Sequence, residues 1–439
     1  MRRDRLAGWT VVLDLAYLFA FLLFAPYVLY RVFATEKYRE GLPQRMGRRL
    51  PKRSGRRPCL WVHGVSVGEV MGARAFLREA ASALPDWDLA VSTTTKTGQA
   101  MARRHLAGTI PYVFYFPFDV SWAVRSAFDA IRPDGIVLME LEIWPGFLAE
   151  ASRRGIPVYL VNGRISARSF RGYKRGLGLI GRFLEPVRVW LVQTEEYAER
   201  VRALGGPAEL VHVTGSMKHD NLPAAGDPVA ARANLAAFGI PSTGQVLLAA
   251  STHETEEDRL GEAYARLRAR FPELRLVVVP RHPERGESVV RALARHGIEA
   301  ARWSEGPRTG CPAGALVVDA IGVLLDLFPA ATAVFVGGSW IDHGGQNVLE
   351  PASQGRPIFI GPSVYNFAPE VERLASAGAL EIVDGPDRLA ARLEDLLATP
   401  ERLDAMGLSG RRVVDGLSGA SKRNLDLVMQ TGLGPNQRR

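Results

Sequence analysis

From Pro58 onward the chain repeats one pattern: a short apolar run, a turn, then an amphipathic stretch of helical length. The runs CLWVH (59–63), LAVSTT (89–94), YVFYF (112–116), GIVLME (135–140), PVYLVN (157–162) and VWLVQT (189–194) do not alternate with polar residues. Continuous apolar strands of this kind belong to parallel sheets covered on both faces. Stretches such as VMGARAFLREAASAL (70–84) and VSWAVRSAFDAI (120–131) read as the covering helices. A segment rich in Gly, Pro and Asp (211–230) ends the series, and a second one begins: VLLAAST (246–252), LRLVVVP (274–280), ALVVD (315–319), TAVFVGG (332–338), RPIFIG (356–361) and ALEIVD (379–384). The pattern predicts two doubly wound α/β domains facing a cleft, at 58–214 and 231–420. A linker at 215–230 would join them, with a C-terminal helix and tail at 421–439.

Ligands of such sheets bind beyond the carboxyl ends of the strands. HGVSVGEV (63–70) follows the first strand and contains G-x-S-x-G, the form of a serine-esterase elbow. A hydrolase elbow follows a middle strand, so position argues against Ser66 as a nucleophile, although Ser66, Asp319 and His343 stand in a hydrolase's Ser-Asp-His order. Ser66 reads instead as a helix N-cap or an acceptor contact. Glu69 is either its capping-box partner or a catalytic carboxylate. ELEIWPG brings Glu140 and Glu142 to a strand end, where they could bind sugar hydroxyls or hold Arg164 of NGRIS. STTTKTG (92–98) either caps a helix or binds substrate through hydroxyls and amides.

In the second half, STHETEED, VPRHPER and GGSWIDHGGQNVLEP each follow a strand, and glycine turns at helix starts present N–H groups to phosphate. Arg281, His282 and Arg285 add positive charge, and Glu350 suits ribose hydroxyls. A nucleotide-linked donor fits this set. The Asp86-Trp87-Asp88 triplet precedes an early strand, away from that set, and reads as coincidence rather than a metal motif. Cys59 and Cys311 stand far apart and no H-E-x-x-H occurs, so no metal site is expected.

The net charge of +9 is concentrated at the N-terminus. Residues 31–57 carry ten Lys/Arg against Glu36 and Glu40, and Arg2, Arg3 and Arg5 face only Asp4. Between them lies the apolar stretch Trp9–Phe33, interrupted by Asp14 and Pro26. Residues 1–57 therefore read as a membrane anchor, spanning or monotopic, with a basic segment for anionic phospholipid headgroups. The positive flank keeps the body in the cytoplasm, and the near-neutral remainder argues against nucleic acid.

Taken in order, WVHGVSVGE, STTTKTG, PFD (117–119), ELEIWP, NGRIS with RSF, GSMKHD, STHETEE, VPRHPER, GGSWIDHGGQNVLEP and GPSVYNF resemble the 3-deoxy-D-manno-octulosonic acid (Kdo) transferases of lipid A assembly. The likeness runs over nearly the whole chain. It implies a GT-B fold with an N-terminal acceptor domain and a C-terminal domain for CMP-Kdo. It implies inverting transfer, without metal or other cofactor, to the 6′-hydroxyl of lipid A precursor (lipid IVA) in the inner membrane. It implies Glu69 as the catalytic base. The donor contacts it implies are Lys218, Ser251, His253, Arg281, His282, Gly337, Gly338, Ser339, Asn347 and Glu350; Ser66, Glu140, Glu142 and Arg164 are the acceptor-side candidates. Three positions depart from the family: Gln346 where His is usual, Gly146 where Asn is usual, and Val323 where Glu is usual. The remaining readings are a GT-B transferase for another nucleotide sugar, a membrane-tethered esterase using Ser66, and a non-catalytic lipid-binding scaffold.

Overall fold

The computed structural model describes residues 10–19, 22–26, 30, 39–55, 57–106, 108–175, 184, 186–307 and 314–433. The chain divides into two units, Met1–Asn221 with Leu417–Arg439, and Leu222–Gly416. The first holds strands β1 (Cys59–His63), β2 (Asp88–Thr93), β3 (Tyr112–Tyr115), β4 (Gly135–Met139), β5 (Val158–Gly163), β6 (Val187–Val192) and β7 (Val211–Val213). They form a parallel sheet in the order β3-β2-β1-β4-β5-β6-β7. The second holds β8 (Val246–Thr252), β9 (Arg275–Pro280), β10 (Ala300–Arg302), β11 (Ala315–Val317), β12 (Ala333–Val336), β13 (Ile358–Ile360) and β14 (Leu380–Ile382). Its order is β10-β11-β9-β8-β12-β13-β14, again all parallel. Two strands were not anticipated, β7 and β10. Both are three-residue edge strands, and neither VHV nor AAR carries a run long enough to signal one.

The helices used below are α1 (Val67–Ala83), α2 (Lys96–Leu106), α3 (Ser121–Ile131), α4 (Pro145–Arg154), α5 (Ala167–Arg175), α6 (Glu256–Arg270) and α7 (Ala420–Val428). Alternate residues of β1 enter opposite cores. Trp61 meets Phe114, Phe128 and Phe147, with ring centroids 5.3, 5.6 and 5.0 Å away. Leu60 and Val62 join Phe76 of α1 on the other face. Each such buried side chain contributes about 1.5–3 kcal/mol. In each sheet the strand order reverses beside the first strand, β1 or β8, and that reversal opens the crevice where ligands of this architecture bind. The loops after β1 and β4 flank it in the first unit, and those after β8 and β12 in the second.

Two segments fold differently from expectation. The boundary at Asn221 falls inside the 215–230 linker, and Met217–Asn221 forms a 3-10 turn on α1, where the Asn221 amide donates to the Gly72 carbonyl. The chain then returns to the first unit at Leu417. Asp220 accepts the Gly419 and Ser421 amides, and Leu425 and Val428 of α7 enter the α1 core. Such a return leaves no periodic signature, because α7 has an ordinary amphipathic pattern whichever unit it covers.

The basic segment is not a free tether. Arg53 is buried, paired with Asp88 at 2.8 Å and donating to the Ile131 and Arg132 carbonyls. Asp88 of the D-x-D triplet is thereby a structural partner. Arg39, Arg48, Arg49, Lys52 and Arg57 remain exposed. Residues 10–19 and 22–26 are helical. Among the described residues no helix is long and apolar enough to cross a membrane. Much of the expected anchor, including Trp9 and residues 31–38, lies outside the described residues.

Candidate active site

In the first unit, β1 ends at His63 and the chain turns through Gly64 and Val65 into α1. Ser66 is the N-cap, in extended conformation, with its hydroxyl facing the Glu69 amide at 3.4 Å. Glu69, almost fully buried, accepts the Val65 amide (2.8 Å) on one oxygen and the Ser66 hydroxyl (2.9 Å) on the other. Ser66 therefore caps α1, but the reciprocal bond of Glu69 goes to the amide of Val65, one residue before the cap, and the two bonds Glu69 accepts aim its carboxylate. A carboxylate has about four acceptor positions, so these two bonds leave capacity for a substrate hydroxyl.

His63 gives Ser66 no base. Its Nδ1 lies 3.0 Å from the Ser92 hydroxyl, its ring stacks on Phe116 at 3.8 Å, and burial pushes its pKa down to about 3. Asp319 is held by Arg302 and Ser304, and His343 packs on His253. The hydroxyl of Ser66 thus has a carboxylate as its partner, which is not the arrangement of a serine hydrolase. STTTKTG shows the capping role: Thr95 Oγ1 accepts the Gly98 amide, and the Thr94 and Thr95 amides hold the Val65 carbonyl. Gly98 packs so closely that a Cβ there would lie 2.8 Å from Thr95 Oγ1 and 3.3 Å from the Val65 carbonyl oxygen.

Glu140 and Glu142 join Glu69 electrostatically. β4 ends at Met139, and Glu140 adopts φ 56°, a left-handed conformation costing about 1–3 kcal/mol in a non-glycine residue. Strand alternation therefore does not place the pair; the strained turn does. Burial and then the charge of Glu69 raise the pKa of Glu140, while Lys218 and Arg164 oppose the rise. The same two causes push Glu142 up to about 7, against the hydrogen bond it accepts from Trp144 Nε1 at 2.9 Å. Arg164 and Lys218 are exposed. Lys218, expected among the donor contacts, belongs to the first unit, on the turn that packs on α1.

In the second unit the loops after β8 and β12 carry the expected residues, but several have structural roles that sequence reasoning missed. Glu256, fully buried at the start of α6, accepts four backbone amides. His253 (2.9 Å) and Gly338 (2.7 Å) bond to one oxygen, Ser339 and Trp340 (both 2.9 Å) to the other. The glycine-loop amides expected to face a phosphate are thus occupied by the protein's own carboxylate. The Ser339 hydroxyl is buried, donating to the Val336 carbonyl and accepting the Gly361 amide. Gly337 permits a close crossing, since a Cβ there would lie 2.6 Å from the Ser251 carbonyl oxygen. Ser251 itself takes φ 55°. Arg285 pairs with buried Glu257 at 2.6 Å.

The side chains left facing one another are imidazoles. His253 lies 4.2 Å from His343 and 6.1 Å from His282, ring centre to ring centre, and its Nε2 is 3.2 Å from Gln346 Nε2. Burial, then His343 and His282, lower the His253 pKa. Arg281 is exposed, and its charge acts on Glu350. Asn347 donates to Glu350 at 2.9 Å and its carbonyl oxygen accepts the Leu349 amide. His343 and Gln346 were not among the expected contacts; the signal for them was the Gly344-Gly345 pair that they flank, both glycines at positive φ. Val323 precedes a short helix without a side-chain hydrogen bond. Gly146 sits against Asp119, whose carboxylate accepts the Gly146 and Phe147 amides, and a Cβ there would lie 2.8 Å from Asp119 Oδ1. Among the described residues no three His, Cys, Asp or Glu side chains converge as a metal-ligand set.

A family model described as 3-deoxy-D-manno-octulosonic-acid transferase (kdotransferase) matches residues 40–221. The 3-deoxy-D-manno-octulosonic acid transferase of Bordetella pertussis is 34% identical, over 84% of this chain and 86% of the relative. The chain belongs to this transferase family. The transferase of the same name from Haemophilus influenzae is 28% identical over 89% of this chain and 91% of its own. A solved glycosyltransferase from Rickettsia africae is 10% identical and superposes with a TM-score of 0.54, over 86% of this chain and 99% of that one. The likeness shows the GT-B fold class, two parallel-sheet α/β domains. The protein is a glycosyltransferase.

Proposed function

We propose that this transferase moves Kdo from CMP-Kdo to the 6′-hydroxyl of lipid IVA with inversion and without a metal, at the cytoplasmic face of the inner membrane. The observation that carries the reading is Glu69: a buried carboxylate, aimed by Ser66 and the Val65 amide, at the strand-order reversal of the first unit. Glu69 takes the proton of the acceptor hydroxyl, whose oxygen attacks the Kdo anomeric carbon as CMP departs. The transition state is oxocarbenium-like, as in glycoside hydrolysis. Glu140, Glu142 and Arg164 surround the acceptor sugar. In the second unit the Arg281 guanidinium offsets charge on the departing phosphate, and N–H groups of the His253, His282 and His343 imidazoles donate hydrogen bonds to it. Glu350 takes the ribose hydroxyls.

The test is incubation of the full chain with CMP-Kdo and lipid IVA, read by mass spectrometry, which also counts the units added. Glu69→Gln retains a capping-box side chain and is expected to lower turnover about 10²–10⁴-fold, the usual range of general-base help. CMP-Kdo affinity should stay within a few-fold. Wild-type turnover in that variant removes Glu69 from the mechanism.

A further inference from the structure

Among the described residues, Asp14, Tyr17 and Leu13 of the apolar N-terminal stretch contact the body of the first unit. Asp14 accepts the Ser121 amide at 2.9 Å, and so caps α3, whose own N-cap, Val120, has no side-chain acceptor. Tyr17 donates to Asp119 at 3.2 Å, and Leu13 packs against the Trp61 core. Further along, Glu40 accepts the Tyr115 hydroxyl at 3.1 Å and pairs with Lys96 at 2.8 Å. Tyr115 and Ser121 are six residues apart, no more than about 20 Å along an extended chain. Asp14 stands five residues from Trp9, where the apolar stretch begins. In a helix crossing a bilayer core of about 30 Å it would lie near the far face, out of reach of α3.

The helix surface turned away from these contacts is apolar. Val11, Leu15 and Leu18 follow at helical spacing, and each is more than half exposed. On the body of the unit, Phe118 and Trp122 flank the two residues that hold Asp14 and Tyr17, and they too are exposed, at 41% and 54%. The basic residues Arg39, Arg48, Arg49 and Lys52 are exposed around and beyond Glu40. An apolar stripe beside exposed cations fits an anionic phospholipid surface.

From these contacts we infer that residues 10–19 and 22–26 lie in the plane of the membrane surface, pinned to α3 by Asp14 and Tyr17, and that Phe118 and Trp122 belong to the same lipid-facing surface. The inference rests on the membrane-bound reading above. It also accounts for a carboxylate inside an apolar stretch, since Asp14 orients the helix on the domain.

The experiment uses the full chain reconstituted in vesicles of phosphatidylcholine and phosphatidylglycerol, in a Cys59→Ala, Cys311→Ser background. Arg5→Cys and Arg104→Cys variants are treated with a membrane-impermeant maleimide. The expected result is labelling of both positions from one side. Separately, Phe118→Ser/Trp122→Ser is expected to weaken vesicle binding about ten- to a hundredfold, with turnover on detergent-dispersed acceptor unchanged. Labelling of position 5 from the opposite side, or unchanged vesicle binding of the double variant, overturns the inference. Transfer from CMP-Kdo in detergent is scored separately, so a spanning topology with intact transfer sinks only this inference, and loss of transfer in the unaltered chain sinks the function.

Discussion

Replacing Glu256 by Gln tests whether the glycine loop after β12 is a phosphate cradle or an internally filled one. The carboxylate accepts four backbone amides, two on each oxygen. Glutamine keeps one carbonyl oxygen and turns an NH2 group toward the other two donors. Two charge-assisted hydrogen bonds are lost, at about 1.5–3 kcal/mol each, and two buried N–H groups are left without acceptors. The second unit is expected to lose about 3–6 kcal/mol, a large share of the about 5–15 kcal/mol typical of a folded domain. Urea unfolding measures that loss, and hydrogen exchange at 337–341 should show the amides of Gly338, Ser339 and Trp340 losing protection. In the unaltered protein, saturating CMP should leave exchange of those three amides unchanged. A variant within about 1 kcal/mol of wild type, or strong protection of those amides by CMP, refutes the reasoning.

Two further changes follow from the same geometry. Glu142 has a folded pKa near 7, above its ordinary 4.5, chiefly from burial and then from Glu69. Its protonated form stabilises the fold fully below about 4.5, and that contribution is lost as pH rises through about 7; Glu142→Gln should therefore unfold with a flatter pH dependence, gaining on the order of 1–3 kcal/mol relative to wild type at about pH 8.5. Parallel denaturant titrations at acid and alkaline pH with equal slopes for the two proteins would count against this. Gly337→Ala places a Cβ 2.6 Å from the Ser251 carbonyl oxygen and the Thr252 Cα, so thermal unfolding should show a loss of about 1–3 kcal/mol from overpacking, and an unchanged melting curve would show that the crossing relaxes freely.

The N–H-rich loop shows where reading a sequence stops. A glycine pair after a strand says that backbone approaches something closely. It does not say what, because a buried glutamate from α6 and a phosphate from outside satisfy the same amides. The same limit applies to Glu69, where one S-x-x-E spacing describes both a cap and an aimed carboxylate, and the structure shows both satisfied together. Lys218 is a donor contact by resemblance to the family, and only the tertiary structure shows that it belongs to the first unit.

The sequence by itself determined the two doubly wound sheets and the residues at their carboxyl edges, since continuous apolar strands alternating with amphipathic helices have few ways to be buried. It also determined the family, because many short blocks recur in one order. Only the tertiary structure decided that Arg53 pairs with Asp88, that α7 returns to the first unit, that Glu140 is strained into the acidic cluster, and that Glu256 fills the glycine loop. Each of these joins residues distant in the chain or fixes a local backbone dihedral, and periodicity records only which face of an element is buried, never what it is buried against.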